Sequence, residues 1–127
     1  MSAMRELRAV LWDMDGTLVD TEPYWIECEY ELVAEFGGTW TQADAHSLVG
    51  FALLDSANEL CVRGGVQLEP LEVVERLLDG VAARVEQRLP WRPGAPELLA
   101  ECAAAQVPCV LVTMSWRRLA DAVIAAA

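Results

Sequence analysis

The sequence predicts an α/β fold: a small parallel-sheet core interrupted by an inserted, all-helical subdomain. Two short apolar runs, at residues 7–13 and 108–113, read as strands buried on both faces, which is the pattern of a parallel sheet. Between them lie several amphipathic stretches of helical period, too many for one crossover connection. The 127 residues are 54% hydrophobic and 23% charged, enough apolar material for a packed core and too much for bulk disorder.

Each element has its own signal. The first strand ends in a carboxylate, Asp13, and Asp15-Gly16-Thr17 supplies turn chemistry. Thr21 is placed to cap the next helix, with Pro23 in its first turn. Trp25, Cys28, Leu32 and Phe36 recur at three- and four-residue spacing as its apolar stripe. Glu27, Glu31 and Glu35 lie opposite and read as a solvated face. Gly37-Gly38 ends this helix. Thr41 and Asp44 form a capping pair for a short helix through about Leu48. A further helix is expected over 52–63, stopping at Gly64-Gly65, and a longer one over 70–89. In the longer one Leu71, Val74, Leu78, Val81 and Val85 form the core stripe, and Glu72 and Arg76 are spaced to pair. Pro90, Pro93 and Gly94 break the chain before a helix over 96–105. The second strand follows, and Ser115 is placed to cap a last helix over 116–126. The division is a core portion at 1–20 and 90–127 with a helical cap at 21–89.

Net charge is −11, from 9 basic and 20 acidic residues. Such a surface repels phosphate backbones, so nucleic acid is not the expected partner. No apolar run is long enough to span a bilayer, and the first residues lack a signal-peptide apolar region, so a cytoplasmic protein is expected. Cys28, Cys61, Cys102 and Cys109 have apolar neighbours and no metal-ligand spacing. They read as small buried hydrophobes.

The stretch that carries chemistry is Asp13-Met14-Asp15-Gly16-Thr17-Leu18-Val19-Asp20. Open α/β sheets bind ligands at the carboxyl ends of their strands. Two carboxylates stand there two residues apart, followed by a glycine that lets backbone approach a ligand. This stretch resembles the first motif of the haloacid dehalogenase superfamily, the aspartate-nucleophile phosphatases, at every fixed position. Asp20-Thr21-Glu22-Pro23 looks like the lead into a helical cap of the first (C1) type. Pro90-Trp91-Arg92-Pro93-Gly94 resembles the return to the core in the phosphoglucomutase-like branch. Val110-Leu111-Val112-Thr113 looks like the second motif.

The resemblance implies a Rossmann-like core, incomplete in this chain, and a set of roles. Asp13 attacks phosphorus and forms an aspartyl-phosphate. Asp15 protonates the leaving oxygen and then takes a proton from water. Mg²⁺ binds the Asp13 carboxylate and the Asp15 carbonyl. The Thr113 hydroxyl and the Met114 amide hold phosphoryl oxygens, helped by backbone at Met14, Asp15 and Gly16. The second aspartate is absent from the dehalogenase and phosphonatase branches, so its presence favours phosphate-ester chemistry. The implied activity is Mg²⁺-dependent hydrolysis of a small phosphorylated metabolite, a sugar phosphate first, with phosphoglycolate or a nucleoside monophosphate as alternatives. A phosphomutase, or a non-catalytic phosphate- or partner-binding protein on the same scaffold, is the competing reading.

Other residues have plainer readings. Asp20 and Thr17 hold the loop. Glu22 either faces the pocket mouth or decorates the helix start. Glu29 falls on the apolar stripe and reads as a solvated helix-edge carboxylate rather than one reaching substrate. His46 reads as an exposed cap residue, Arg117 and Arg118 as solvated, and the five tryptophans as core or cap–core contacts. The family's lysine and its later acidic pair should follow the second motif. Residues 116–127 contain no lysine and one acid, Asp121, so the chain reads as the N-terminal portion of a longer protein with little turnover of its own.

Overall fold

The computed structural model describes residues 6–127. The reading of the first five residues as no signal peptide lies outside the described residues. β1 (Val10–Trp12) and β2 (Cys109–Leu111) pair in parallel, Val10 opposite Cys109 and Trp12 opposite Leu111. The ladder is shorter than the two apolar runs because each strand has a single neighbour among the described residues. It is extended at both ends by Val10 N–H to the Pro108 carbonyl at 2.9 Å and Val112 N–H to the Trp12 carbonyl at 2.7 Å. Leu11, Val110 and Val112 stand exposed on it.

Four helices follow β1: α1 (Glu22–Glu35), α2 (Gln42–Ser47), α3 (Leu53–Val62) and α4 (Pro70–Gln87). α5 (Ala95–Ala104) precedes β2, and α6 (Arg117–Ala126) follows it. α1 closes as expected at Gly37, whose φ of +77° only glycine adopts without strain. Gly38 N–H reaches the Val33 carbonyl and Gly37 N–H the Ala34 carbonyl, both at 3.0 Å, a Schellman closure. α2 carries the expected capping box: Asp44 N–H donates to Thr41 Oγ1 at 3.1 Å, and Thr41 N–H to Asp44 Oδ2 at 2.9 Å. These bonds hold the Asp44 carboxyl below its ordinary range.

α4 is the hub, packing against α1, α3 and α6. It buries Val73, Val74, Leu77, Leu78, Val81, Ala82 and Val85, a wider surface than one stripe because neighbours cover it on several sides. Leu71, predicted to be core, is instead half exposed in the first turn, outside that packing. The Glu72–Arg76 pair does not form. Arg76 reaches across to Glu35 of α1, while Arg84 pairs with Glu27 at 3.0 Å and with Glu31. The acidic face of α1 is therefore an ion-pair seam along α4 rather than merely solvated. With the glutamates more than half exposed, each pair adds at most about 1 kcal/mol.

The seam depends on close approach. A Cβ on Gly80 would meet Cys28 Sγ at 2.8 Å, so α1 and α4 pack there through a missing side chain. Burial pushes the Cys28 thiol up to about 11, leaving it a neutral core group. Cys28 and Cys102 are buried as expected, but Cys61 is half-buried and Cys109 exposed, the last because it lies beside Val110 on the uncovered strand. All four are free thiols.

α6 buries Leu119, Ala122 and Val123, and its main packing partner is α4. A second joint links the segment before α1 to the segment after α4. Asp20 N–H donates to the Pro90 carbonyl and Arg92 N–H to the Leu18 carbonyl, both at 2.8 Å, around an antiparallel bridge between Val19 and Trp91. The two linkers thus brace each other beside the end of β1.

Candidate active site

The parallel register decides the site. With Trp12 opposite Leu111, the next residues of both strands emerge side by side at the carboxyl end of the sheet, Asp13 from β1 and Val112-Thr113 from β2. A cavity of about 450 Å³ opens there, within the range of small-molecule pockets. Asp13, Asp15, Gly16, Thr113 and Met114 line it from the strand ends. Met14 does not: its side chain is fully buried in the core, leaving only its backbone near the site. Gly16, at φ +81°, has its N–H bonded to the Val19 carbonyl at 2.7 Å. It contributes an absent side chain rather than a free donor.

Asp13 is exposed, and its one protein bond among the described residues is a long one from Thr17 Oγ1, at 3.3 Å. Asp15 is held firmly. Its Oδ1 accepts from the Thr21 hydroxyl, and its Oδ2 accepts from the Ser115 hydroxyl at 2.6 Å. The sequence assigned both of these hydroxyls to helix caps. Thr21 does occupy the N-cap position of α1 but makes no cap bond, and α6 takes Trp116 as its N-cap. A partly buried carboxylate partner competes better for each hydroxyl than exposed helix amides do. Thr113 Oγ1 accepts from Ser115 N–H at 3.0 Å, so its own proton is left to donate. The amides of Met14, Asp15 and Met114 have no partner among the described residues.

Helices α1 to α4 and their connections supply the rest of the cavity. Trp25, Ile26, Leu48, Phe51 and Leu53 form apolar wall, with Glu22 and Glu29 among them. Glu22 also pairs with His46 at 3.3 Å, which ties α1 to α2. Glu29 is not the solvated carboxylate the sequence suggested: it is 6% exposed. Its Oε1 accepts from Trp40 Nε1 at 3.0 Å. Burial raises its carboxyl to about 7, against the lowering effect of the Trp40 bond. Trp40 is in turn covered by Arg63, whose guanidinium lies 5.1 Å from the ring centre and pairs with Asp44 at 3.0 Å. Position on the apolar stripe was the available signal for Glu29; what it packs against was not. Trp116 is partly buried but does not line the cavity, while Arg118 pairs with Asp79 at 3.3 Å.

Five carboxylates line the cavity, from Asp13, Asp15, Asp20, Glu22 and Glu29, and no arginine or histidine does so among the described residues. The sequence contains no lysine. Nor do the described residues gather three or more acidic, histidine or cysteine side chains as a ready metal cage. Asp13 carboxylate and Asp15 carbonyl are nevertheless hard oxygen donors, and the carbonyl accepts no hydrogen bond among the described residues. That set fits Mg²⁺, which takes one or two protein oxygens and completes its shell with water and phosphate.

Comparison with known proteins bears on the family and the fold. A family model described as haloacid dehalogenase-like hydrolase matches residues 10–126. Hexitol phosphatase B of Escherichia coli is 31% identical over 104 residues, 80% of this chain and 47% of the relative. The chain thus spans about half the length of that relative. CbbY of Rhodobacter sphaeroides, solved with xylulose-(1,5)bisphosphate, superposes with a TM-score of 0.80 at 20% identity, over 95% of this chain and 57% of that one. β-Phosphoglucomutase of Clostridium difficile gives 0.65 at 18% identity, over 84% and 51%. At these identities the two structures attest the fold. With the family model spanning the sheet, the helices and the carboxylate-bearing strand end, the chain belongs to the haloacid dehalogenase-like hydrolases.

Proposed function

We propose that this chain carries the nucleophile-bearing part of a Mg²⁺-dependent phosphomonoester hydrolase that acts on a small phosphorylated metabolite through an aspartyl-phosphate. The observation that carries the proposal is the meeting of Asp13, Asp15 and Thr113 at one cavity wall, with three unpartnered amides beside them. An exposed carboxylate with a single weak bond is free to act as a nucleophile. Asp13 oxygen attacks phosphorus, and the bond from phosphorus to the leaving oxygen breaks. Asp15 delivers the proton to that oxygen, then takes one from the water that hydrolyses the acyl phosphate. To do so it exchanges its bonds with Thr21 and Ser115 for bonds to the reactants. The Thr113 hydroxyl and the amides of Met14, Asp15 and Met114 are the donors for the phosphoryl oxygens. Asp13 carboxylate and Asp15 carbonyl would hold Mg²⁺, whose charge offsets repulsion between nucleophile and phosphate.

In this reading residues 21–89 form the cap and residues 1–20 and 90–127 the core portion, with the braced linkers at Leu18–Asp20 and Pro90–Arg92 as the hinge. Four free thiols are in keeping with a cytoplasmic setting, and no helix among the described residues is long and apolar enough to cross a membrane. Beryllofluoride, a mimic of the acyl phosphate, tests the proposal. Fluorine NMR should show a Mg²⁺-dependent bound resonance that Asp13→Asn abolishes. A resonance that survives Asp13→Asn, or none at all in the parent chain, refutes it.

A further inference from the structure

The phosphate end of a substrate is served by amides, a hydroxyl and the metal donors. The remote end meets something different. The wall built by α1 to α3 presents apolar side chains with Glu22, Glu29 and the Ser56 hydroxyl among them, and no cation among the described residues lines the cavity. Glu29 is 94% buried, the complement of its 6% exposure. Oε1 is taken by Trp40, while Oε2 has no protein partner among the described residues and is not among the fully enclosed, unbonded atoms. A polar atom held in this way, on a residue that lines the cavity, is an acceptor waiting for a donor from the ligand. Trp40 fixes the carboxyl group, and Arg63, stacked on the indole and tied to Asp44, fixes Trp40.

We infer that Glu29 is a specificity-determining residue, whose Oε2 accepts a hydrogen bond from a hydroxyl on the uncharged remote end of a phosphorylated polyol or sugar. The inference rests on the phosphomonoester reading and narrows it. A carboxylate or second phosphate at the remote end would face Glu29 and Glu22 with no compensating cation among the described residues, and would be rejected by like charge. A ligand without hydroxyls would leave Oε2 unpaired and lose the discrimination that a buried polar partner provides. Trp40 acts through Glu29 and is a positioning residue.

Sorbitol 6-phosphate and 6-phosphogluconate test this directly, since they differ only in a hydroxymethyl against a carboxylate at the remote carbon. Their binding to the chain bearing Asp13→Asn, which blocks the covalent step, is measured by calorimetry with Mg²⁺ at slightly alkaline pH. Sorbitol 6-phosphate should bind at least about tenfold more tightly, and adding Glu29→Gln should shrink that ratio severalfold. Equal affinities, or a ratio that Glu29→Gln leaves unchanged, overturn the assignment while leaving the phosphomonoester reading intact. If neither ester binds, that reading falls and the assignment with it. Should Glu29→Gln fail to fold, Glu29→Met serves instead: it keeps the length of the side chain and removes the carboxylate, and an unchanged ratio overturns the inference equally.

Discussion

Replacing Glu29 by glutamine should stabilise the fold at about pH 8 and change it little at about pH 4. The carboxyl has an ordinary value of 4.5 in the unfolded chain and about 7 in the fold, raised by burial. Between those values the folded state holds a proton that the unfolded state has released. The native state therefore loses stability as pH rises through this window, and the loss is complete above about 7. Moving one carboxyl from 4.5 to about 7 corresponds to roughly 3 kcal/mol. Glutamine keeps the acceptor for Trp40 Nε1 and carries no proton to lose, so the variant escapes the penalty. Urea denaturation of both proteins at several pH values isolates Glu29, because the other carboxylates cancel in the difference. The variant's advantage should grow from near zero to roughly 3 kcal/mol between about pH 4 and pH 8. A difference that is flat across this range, or that falls as pH rises, would refute the burial argument.

Other consequences are open to test. Gly80→Ala places a methyl 2.8 Å from Cys28 Sγ. Overpacking should outweigh the gain in helix propensity and cost about 1–2 kcal/mol in denaturation, with Cys28→Ala restoring much of it in a double-mutant cycle. Thr21→Val removes a fully buried hydroxyl bonded to Asp15 and should destabilise by about 1–2 kcal/mol. Since that hydroxyl caps nothing, hydrogen exchange at the start of α1 should stay as it is; faster exchange confined to that turn would restore the capping role. Leu119→Ala empties the fully buried contact between α6 and α4 and should cost about 3 kcal/mol, with exchange rising across Arg117–Ala126 before α4. The chain alone should hydrolyse p-nitrophenyl phosphate with Mg²⁺ only feebly, because no cationic side chain among the described residues lines the cavity. Robust turnover that Asp13→Asn removes would show that this cation is dispensable.

The local sequence determined a great deal. Glycine stops, the Thr41–Asp44 capping box and the order of the eight elements among the described residues follow from periodicity and from backbone rules that act within a few residues. The carboxylates at 13 and 15 were legible for the same reason: their motif is contiguous. Tertiary structure decided which partner each polar group took. Thr21 and Ser115 both had local helix amides to cap, and both turned to Asp15, which for Ser115 lies 100 residues away in the chain. Arg76 had Glu72 within reach on its own helix and chose Glu35 on another. Glu29 lay on a stripe whose burial was predictable, yet its isolation, its bond to Trp40 and its place in the cavity wall depend on how α1 meets the segment around Trp40. Periodicity states which face of an element turns inward. It carries no term for what waits there, and a buried charge takes its properties from its neighbours.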